Sequence, residues 1–186
     1  RRGSPGRRRP LGSLTRLGVI GWPVAHSRSP AMHNAALRAA GLHDWRYQRL
    51  PIAPELLLET VRALPGAGFA GANVTIPHKE AALALADSAT ETAKAIGAAN
   101  TLTFEDGLIK ADNTDAPGFL QALNTSAYEK TALVLGAGGS ARAVVYALKQ
   151  AGDLKVVREP VDSEYEAGEI AQRSMREGKP ALLFLN

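Results

Sequence analysis

The apolar positions of this chain fall into short runs separated by turn residues, and their period changes along the sequence. "RLGVIGW" is an apolar run ended by Pro23, which predicts a buried strand. In "SRSPAMHNAALRAAGL", Ser29 as N-cap, Pro30 at the first helical position and Gly41 as stop predict a well-marked helix. "DWRYQRLPI" alternates like a strand, "PELLLETVRAL" has helical spacing, "FAGANVTIP" reads as another strand and "HKEAALALA" opens the next helix. Two short strands follow in "ANTLTFEDGLIKADN", around the hairpin signal Glu105, Asp106 and Gly107. Asp115 is placed to cap the helix "APGFLQAL". A further strand, "TALVLG", then leads through a glycine-rich turn into the helix "ARAVVYALKQAG".

Strands alternating with helices predict an α/β protein: an N-terminal substrate domain with a mainly parallel sheet, plus a truncated Rossmann-like nucleotide-binding domain. Ligands are expected beyond the carboxyl ends of the strands. The expected boundaries are a basic extension over 1–13, a catalytic domain over 14–114, a connecting helix over 115–128 and a partial nucleotide domain over 129–186.

Composition changes this picture in two places. The net charge of +4 suggests a nucleic-acid partner until its position is read: residues 1–16 hold six arginines and no acid, leaving 16 basic and 18 acidic residues elsewhere. The body is mildly acidic, so no nucleic-acid partner is expected, and the extension, without apolar periodicity, is expected to be disordered and without a role in function. The absence of cysteine excludes disulfides and thiolate metal sites, and the four scattered histidines show no ligand spacing, so no metal is expected. No apolar run approaches the roughly 18 residues of a membrane span, and a cytoplasmic location with no membrane partner is expected.

Three stretches carry candidate chemistry. The turn Gly136, Ala137, Gly138, Gly139, Ser140 and Ala141 sits between a strand and a helix, where free amides and the helix dipole favour a pyrophosphate; a tight structural turn is the alternative. In "HSRSP", Ser27 and Ser29 could donate hydroxyls to a carboxylate, or Ser29 could cap the helix and Ser27 serve the turn, with His26 a turn or packing residue. In "NVTIPHK", Lys79 falls on a first helical turn, where the dipole disfavours its charge. It is either a solvated surface lysine or a group exchanging a proton with a substrate hydroxyl, with Asp115 of "DNTD" as the candidate carboxylate. Asn100 could bind hydroxyls or hold a turn.

Together, "GVIGWPVAHSRSPAMHNAAL", "GANVTIPHKEAA", "GAANTL", "ADNTDAPGF" and "VLGAGGSARAVVYAL" closely resemble the shikimate dehydrogenase family over about residues 14–152. The resemblance implies a first domain that binds shikimate and a second that binds NADP. It implies that Ser27 and Ser29 hold the substrate carboxylate, that Thr75 and Asn100 contact ring hydroxyls, and that Lys79 and Asp115 form the catalytic dyad. The implied reaction is the reversible reduction of 3-dehydroshikimate to shikimate, in aromatic amino acid biosynthesis. A quinate/shikimate dehydrogenase and an inactive shikimate-binding fragment are the alternatives, and a homodimer is left open.

After "AGD" the pattern changes. The family would continue with a second strand, a basic loop for the 2′-phosphate of NADP, and later elements supplying a tyrosine and a glutamine to the substrate site; Arg158 lies near where a phosphate-binding arginine would fall. Instead, residues from about 152 to 186 resemble the amino-terminal segment of hydroxybenzoate-type, prenylated-flavin-dependent decarboxylases, through "PVD", "EIAQR" and "PALLF". That segment carries none of the decarboxylases' catalytic residues. "LKVVRE", "SEYEAGEIAQRSMREG" and "PALLFLN" predict strand, helix and strand, set beside "TALVLG" by right-handed crossovers.

Overall fold

Six strands form one sheet in the order β2-β1-β3-β5-β6-β4. They are β1 (Thr15–Gly21), β2 (Trp45–Pro51), β3 (Phe69–Val74), β4 (Ser88–Ala89), β5 (Thr101–Glu105) and β6 (Leu108–Asp112). The structure, a computed structural model, describes residues 14–123, 134, 136–152, 154–157, 173, 176 and 181–184. The basic extension, the connecting segment past 123, most of the strand expected at 131–136, and Arg158 lie outside the described residues.

Strand β1 pairs in parallel with both β2 and β3, as alternating strands and helices require, and is buried along most of its length. Helix α1 (Ser29–Ala39) links β1 to β2; a 3-10 turn (Pro54–Leu56) and helix α2 (Leu57–Ala63) link β2 to β3. Strand β5 then runs antiparallel to β3. It turns into β6 through Asp106 (φ 54°) and Gly107 (φ 78°), the paired positive φ angles of a tight hairpin turn. Helix α3 (Lys79–Leu85) precedes the short β4, which pairs in parallel with β6. At the opposite edge of the sheet, Asn34 of α1 takes the place of a neighbouring strand for Tyr47. Its Nδ2 donates to Tyr47 O (2.8 Å) and its Oδ1 accepts from Tyr47 N (2.9 Å).

Two helix starts differ from expectation. Ser29 is the first residue of α1 and not its cap, because the Ser27 hydroxyl accepts the Ser29 amide (3.3 Å) and Arg28 already has helical angles. Asp115 likewise begins helix α5 (Asp115–Leu123), with its amide donated to Asn113 Oδ1 (3.1 Å). One helix was not anticipated: α4 (Glu91–Ile96), whose cap Thr90 accepts Ala93 N (3.2 Å) and whose last turn closes on Gly97 at φ 71°. At six residues it is too short to show a full amphipathic period.

The chain divides into two compact units, Arg1–Ala89 with Asn100–Ala111, and Thr90–Ala99 with Asp112–Asn186. The core of the first includes Val19, Val24 and Tyr47, with Leu17 and Leu37 packed against them. In the second, small residues let helices approach closely: Ala143 and Ala147 of helix α6 (Gly139–Gln150) meet Ile96, Ala98 and Ala116, flanked by Phe119, Leu120 and Tyr146. Strands β7 (Leu154–Val157) and β8 (Ala181–Phe184) pair in parallel, and Arg173 and Arg176 between them are helical, in keeping with the strand, helix and strand read from the sequence.

Candidate functional site

In the first unit, the predicted substrate residues gather where β1 and β3 end and β5 begins. Thr75 N donates to Ile20 O (2.8 Å), Trp22 N to Ile76 O (3.1 Å) and Val74 N to Asn100 O (2.7 Å). These bonds stitch the segment after β3 to the end of β1 and set Asn100 beside both. Gly21 makes room for Thr75: a Cβ there would lie 2.6 Å from Thr75 Cγ2. Both strand ends carry a cis X-Pro bond, Trp22–Pro23 and Ile76–Pro77.

Ser27 and Ser29 follow on the loop into α1. Arg49 of β2 holds this loop, its Nη2 and Nε donating to Ser27 O at 2.7 and 3.1 Å. The His33 ring, one turn into α1, donates from Nδ1 to Ser29 O (2.9 Å). Lys79 begins α3 and is half-buried. The residue before it, His78, is 2% exposed and donates from Nε2 to Ile52 O (2.7 Å), while its amide donates to Thr75 O (3.0 Å). A buried side chain with a defined partner thus anchors the turn that presents Lys79.

Behind Thr75 and Asn100 lies a polar tier that the sequence reading passed over. It consists of Tyr47 on β2, Asn73 on β3 and Thr101 at the start of β5, joined by side-chain hydrogen bonds. Its only sequence signal is Asn73 itself, an amide in an otherwise apolar strand and two residues before Thr75, hence on the same face. Burial pushes the Tyr47 hydroxyl up to about 12. A separate open groove of about 460 Å³, lined by Leu57, Leu58, Ala81, Leu85 and Asp87 among others, contains none of the predicted site residues.

The second unit holds Asp115 and the glycine turn. Asn113, 1% exposed, ties the start of α5 in place: its Nδ2 donates to Ala98 O (2.8 Å) while its Oδ1 accepts Asp115 N. In the turn, Gly136 adopts φ 104°, a value that excludes ordinary side chains. Gly138 is the N-cap of α6, with φ −72° and ψ 177°, and Gly139, Ser140 and Ala141 form the first helical turn. A Cβ at Gly136 or Gly138 would meet nothing within 4 Å. Among the described residues no group of His, Cys, Asp and Glu could hold a metal ion, and no helix is long and apolar enough to cross a membrane.

A family model described as the shikimate dehydrogenase substrate binding domain matches residues 19–102, which include Ser27, Ser29, Thr75, Lys79 and Asn100. The NADP(+) shikimate dehydrogenase of Paracoccus denitrificans is 55% identical over 141 residues, 73% of this chain and 50% of that protein. A shikimate 5-dehydrogenase of Thermus thermophilus, solved in complex with NADP(H) and shikimate, superposes with a TM-score of 0.70 at 38% identity, over 93% of this chain and 69% of its own. The chain belongs to the shikimate dehydrogenase family.

The shikimate dehydrogenase of Aquifex aeolicus gives a TM-score of 0.75 at 39% identity, over 93% of this chain and 63% of that one. The chain spans about half the length of the curated shikimate dehydrogenases that it matches. A second family model, the 3-octaprenyl-4-hydroxybenzoate carboxy-lyase N-terminal domain, matches residues 145–186. The likeness to a second family read from the sequence from about residue 152 is found by this model, whose match begins earlier, at residue 145 inside α6.

Proposed function

We propose that this chain carries the substrate-binding and phosphate-loop parts of an NADP-dependent shikimate dehydrogenase, which interconverts 3-dehydroshikimate and shikimate. The observation that carries the reading is the stitching of Thr75, Asn100 and the turn into Lys79 onto the ends of β1 and β3, with the Ser27 and Ser29 loop leading out of the same strand end.

Ser27 and Ser29 donate hydroxyls to the substrate carboxylate, and Thr75 and Asn100 bind ring hydroxyls. NADPH, when bound, supplies hydride to the ketone carbon. Gly136, Ala137, Gly138, Gly139, Ser140 and Ala141 hold the pyrophosphate of the cofactor through backbone amides, a role their open, side-chain-poor turn fits. Lys79 gives the developing alkoxide its proton and Asp115 orients the ammonium; in the reverse direction Lys79 takes the hydroxyl proton. Because that interaction grows as charge develops, Lys79 acts on turnover more than on affinity. A cytoplasmic location accompanies this reading. No observation on the described residues supports a homodimer.

A second reading is favoured by the half-length match and by the foreign family over 145–186: a fragment that binds shikimate without turning it over. Shikimate-dependent reduction of NADP by the purified chain, beside calorimetric titration with shikimate, separates the two. Turnover supports the enzyme, binding without turnover leaves the fragment, and absence of both removes the shikimate reading. Turnover of quinate in place of shikimate would move the specificity to the quinate/shikimate class.

A further inference from the structure

The two serines of the "HSRSP" loop are held by their carbonyls, and their hydroxyl protons are committed to no protein group. Arg49 donates to Ser27 O from Nη2 (2.7 Å) and Nε (3.1 Å), and His33 Nδ1 donates to Ser29 O (2.9 Å). Ser27 Oγ accepts the Ser29 amide (3.3 Å), a bond that does not use its own proton, and Ser29 Oγ makes no hydrogen bond among the described residues. Two hydroxyl donors are thus available to a carboxylate. Both are neutral, and a carboxylate bound by them alone has no opposite charge to match it.

Arg49 carries such a charge to the loop. It stands two residues after Tyr47 on β2, so both rise on one face of the sheet, the face on which the Tyr47 ring stacks against His33 of α1 with centroids 4.2 Å apart. On that face the Arg49 side chain meets the entrance to α1. Its two bonds to Ser27 O use one proton of Nη2 and that of Nε, leaving one proton on Nη2 and both on Nη1. Arg49 pairs with no acid among the described residues. Arg28, between the two serines, is also exposed, but its side chain makes no hydrogen bond or ion pair among the described residues, so its charge is spread over many rotamers.

We propose that Arg49 is a specificity residue that supplies the countercharge for an anionic substrate: one edge of its guanidinium fixes the Ser27 loop, and its positive charge favours the carboxylate that the Ser27 and Ser29 hydroxyls bind. This rests on the shikimate reading above. Only the span of Ser27 separates the guanidinium from a carboxylate on Ser27 Oγ, a distance of the order of the Debye length, about 10 Å at 0.1 M salt. The attraction therefore acts in dilute salt and is screened in concentrated salt. A role confined to holding the loop would not depend on salt in this way.

The test uses the whole chain with three variants. Arg49→Gln removes the charge but keeps a donor for Ser27 O, because the glutamine amide nitrogen stands at the place of the arginine Nε; Arg49→Lys keeps the charge; Arg28→Gln removes the neighbouring one. Shikimate is titrated by calorimetry at about 0.01 M salt, where the Debye length is about 30 Å, and at about 1 M, where it is about 3 Å. At low salt the Kd of Arg49→Gln is expected to rise about 3- to 10-fold, the scale of one partly solvated charge pair, while at high salt it matches the parent. Arg49→Lys and Arg28→Gln are expected to stay within about two-fold of the parent at both salts, since each leaves a charge at position 49. An equal loss at both salts in Arg49→Gln makes Arg49 a holder of the loop alone and overturns the proposal. So does a low-salt Kd that does not move, or one that moves in Arg28→Gln instead. No shikimate binding by the parent chain at either salt overturns the substrate reading and the countercharge with it.

Discussion

Two turns leading into helices hold candidate ligand groups in this chain by opposite means. The junction from β3 to α3 is dense with side-chain and long-range bonds: Thr75 is tied to β1, His78 is buried on Ile52 O, and Lys79 follows at the helix start. The junction from Gly136 to α6 offers almost no side chains, and its distinguishing features are a φ of 104° and open space where Cβ atoms would stand. A ring bearing several hydroxyls has to be read by directional side chains, which must themselves be held. A pyrophosphate needs amides and a dipole, which the backbone supplies wherever glycine allows its approach.

The largest effect is expected at Lys79. Made in a full-length enzyme carrying the "TIPHK" turn, Lys79→Ala is expected to lower turnover by at least ~100-fold, the low end of general acid–base contributions, with a smaller change in KM. Steady-state kinetics within a few fold of the parent would remove Lys79 from the chemistry.

Next in size is Gly71. A Cβ there would lie 2.6 Å from Leu102 O, a backbone atom, so β3 and β5 must part. Gly71→Ala is expected to cost about 1–3 kcal/mol in urea unfolding, as overpacking does, and to weaken shikimate binding, since Asn73 and Asn100 meet across that pairing. Stability equal to the parent would show that the side-chain junction does not depend on strand spacing.

Gly136→Ala tests the other junction. Forcing φ 104° on a side chain costs about 1–3 kcal/mol locally, so nucleotide affinity is expected to fall while shikimate affinity is kept. Parallel titrations with NADP and shikimate check this, and equal loss of both would show that the two junctions do not work separately.

The smallest effect concerns pH. The Tyr47 hydroxyl is raised by burial from 10.0 to about 12. Between those values the unfolded chain binds fewer protons than the folded one, so this group's contribution, complete below pH 10, is lost as pH rises toward 12. Urea midpoints measured across that range should fall less in Tyr47→Phe than in the parent. Matching slopes would show that the tyrosine is not shielded as its burial implies.

The main elements of the first sheet were legible in the sequence because apolar runs with Pro and Gly stops state strand and helix directly, and the hairpin turn was legible in Asp106 and Gly107. The starts of α1 and α5 were misplaced by one residue, because the groups that bind those amides, Ser27 Oγ and Asn113 Oδ1, compete with the expected caps. Helix α4 and strand β4 were too short to announce themselves.

The class of fold, the family, the residue types proposed for the site and the presence of a second family's segment were legible in the sequence alone. All of these follow from local order and motif, which proximity in the chain preserves. Only the tertiary structure decided that Tyr47, Asn73, Thr101 and Asn100 form one path, and that Arg49 and His33 hold the serine loop. Between 22 and 28 residues separate several of these partners, and hydrogen bonding across such distances is set by strand register and helix packing, which no local pattern of residues specifies.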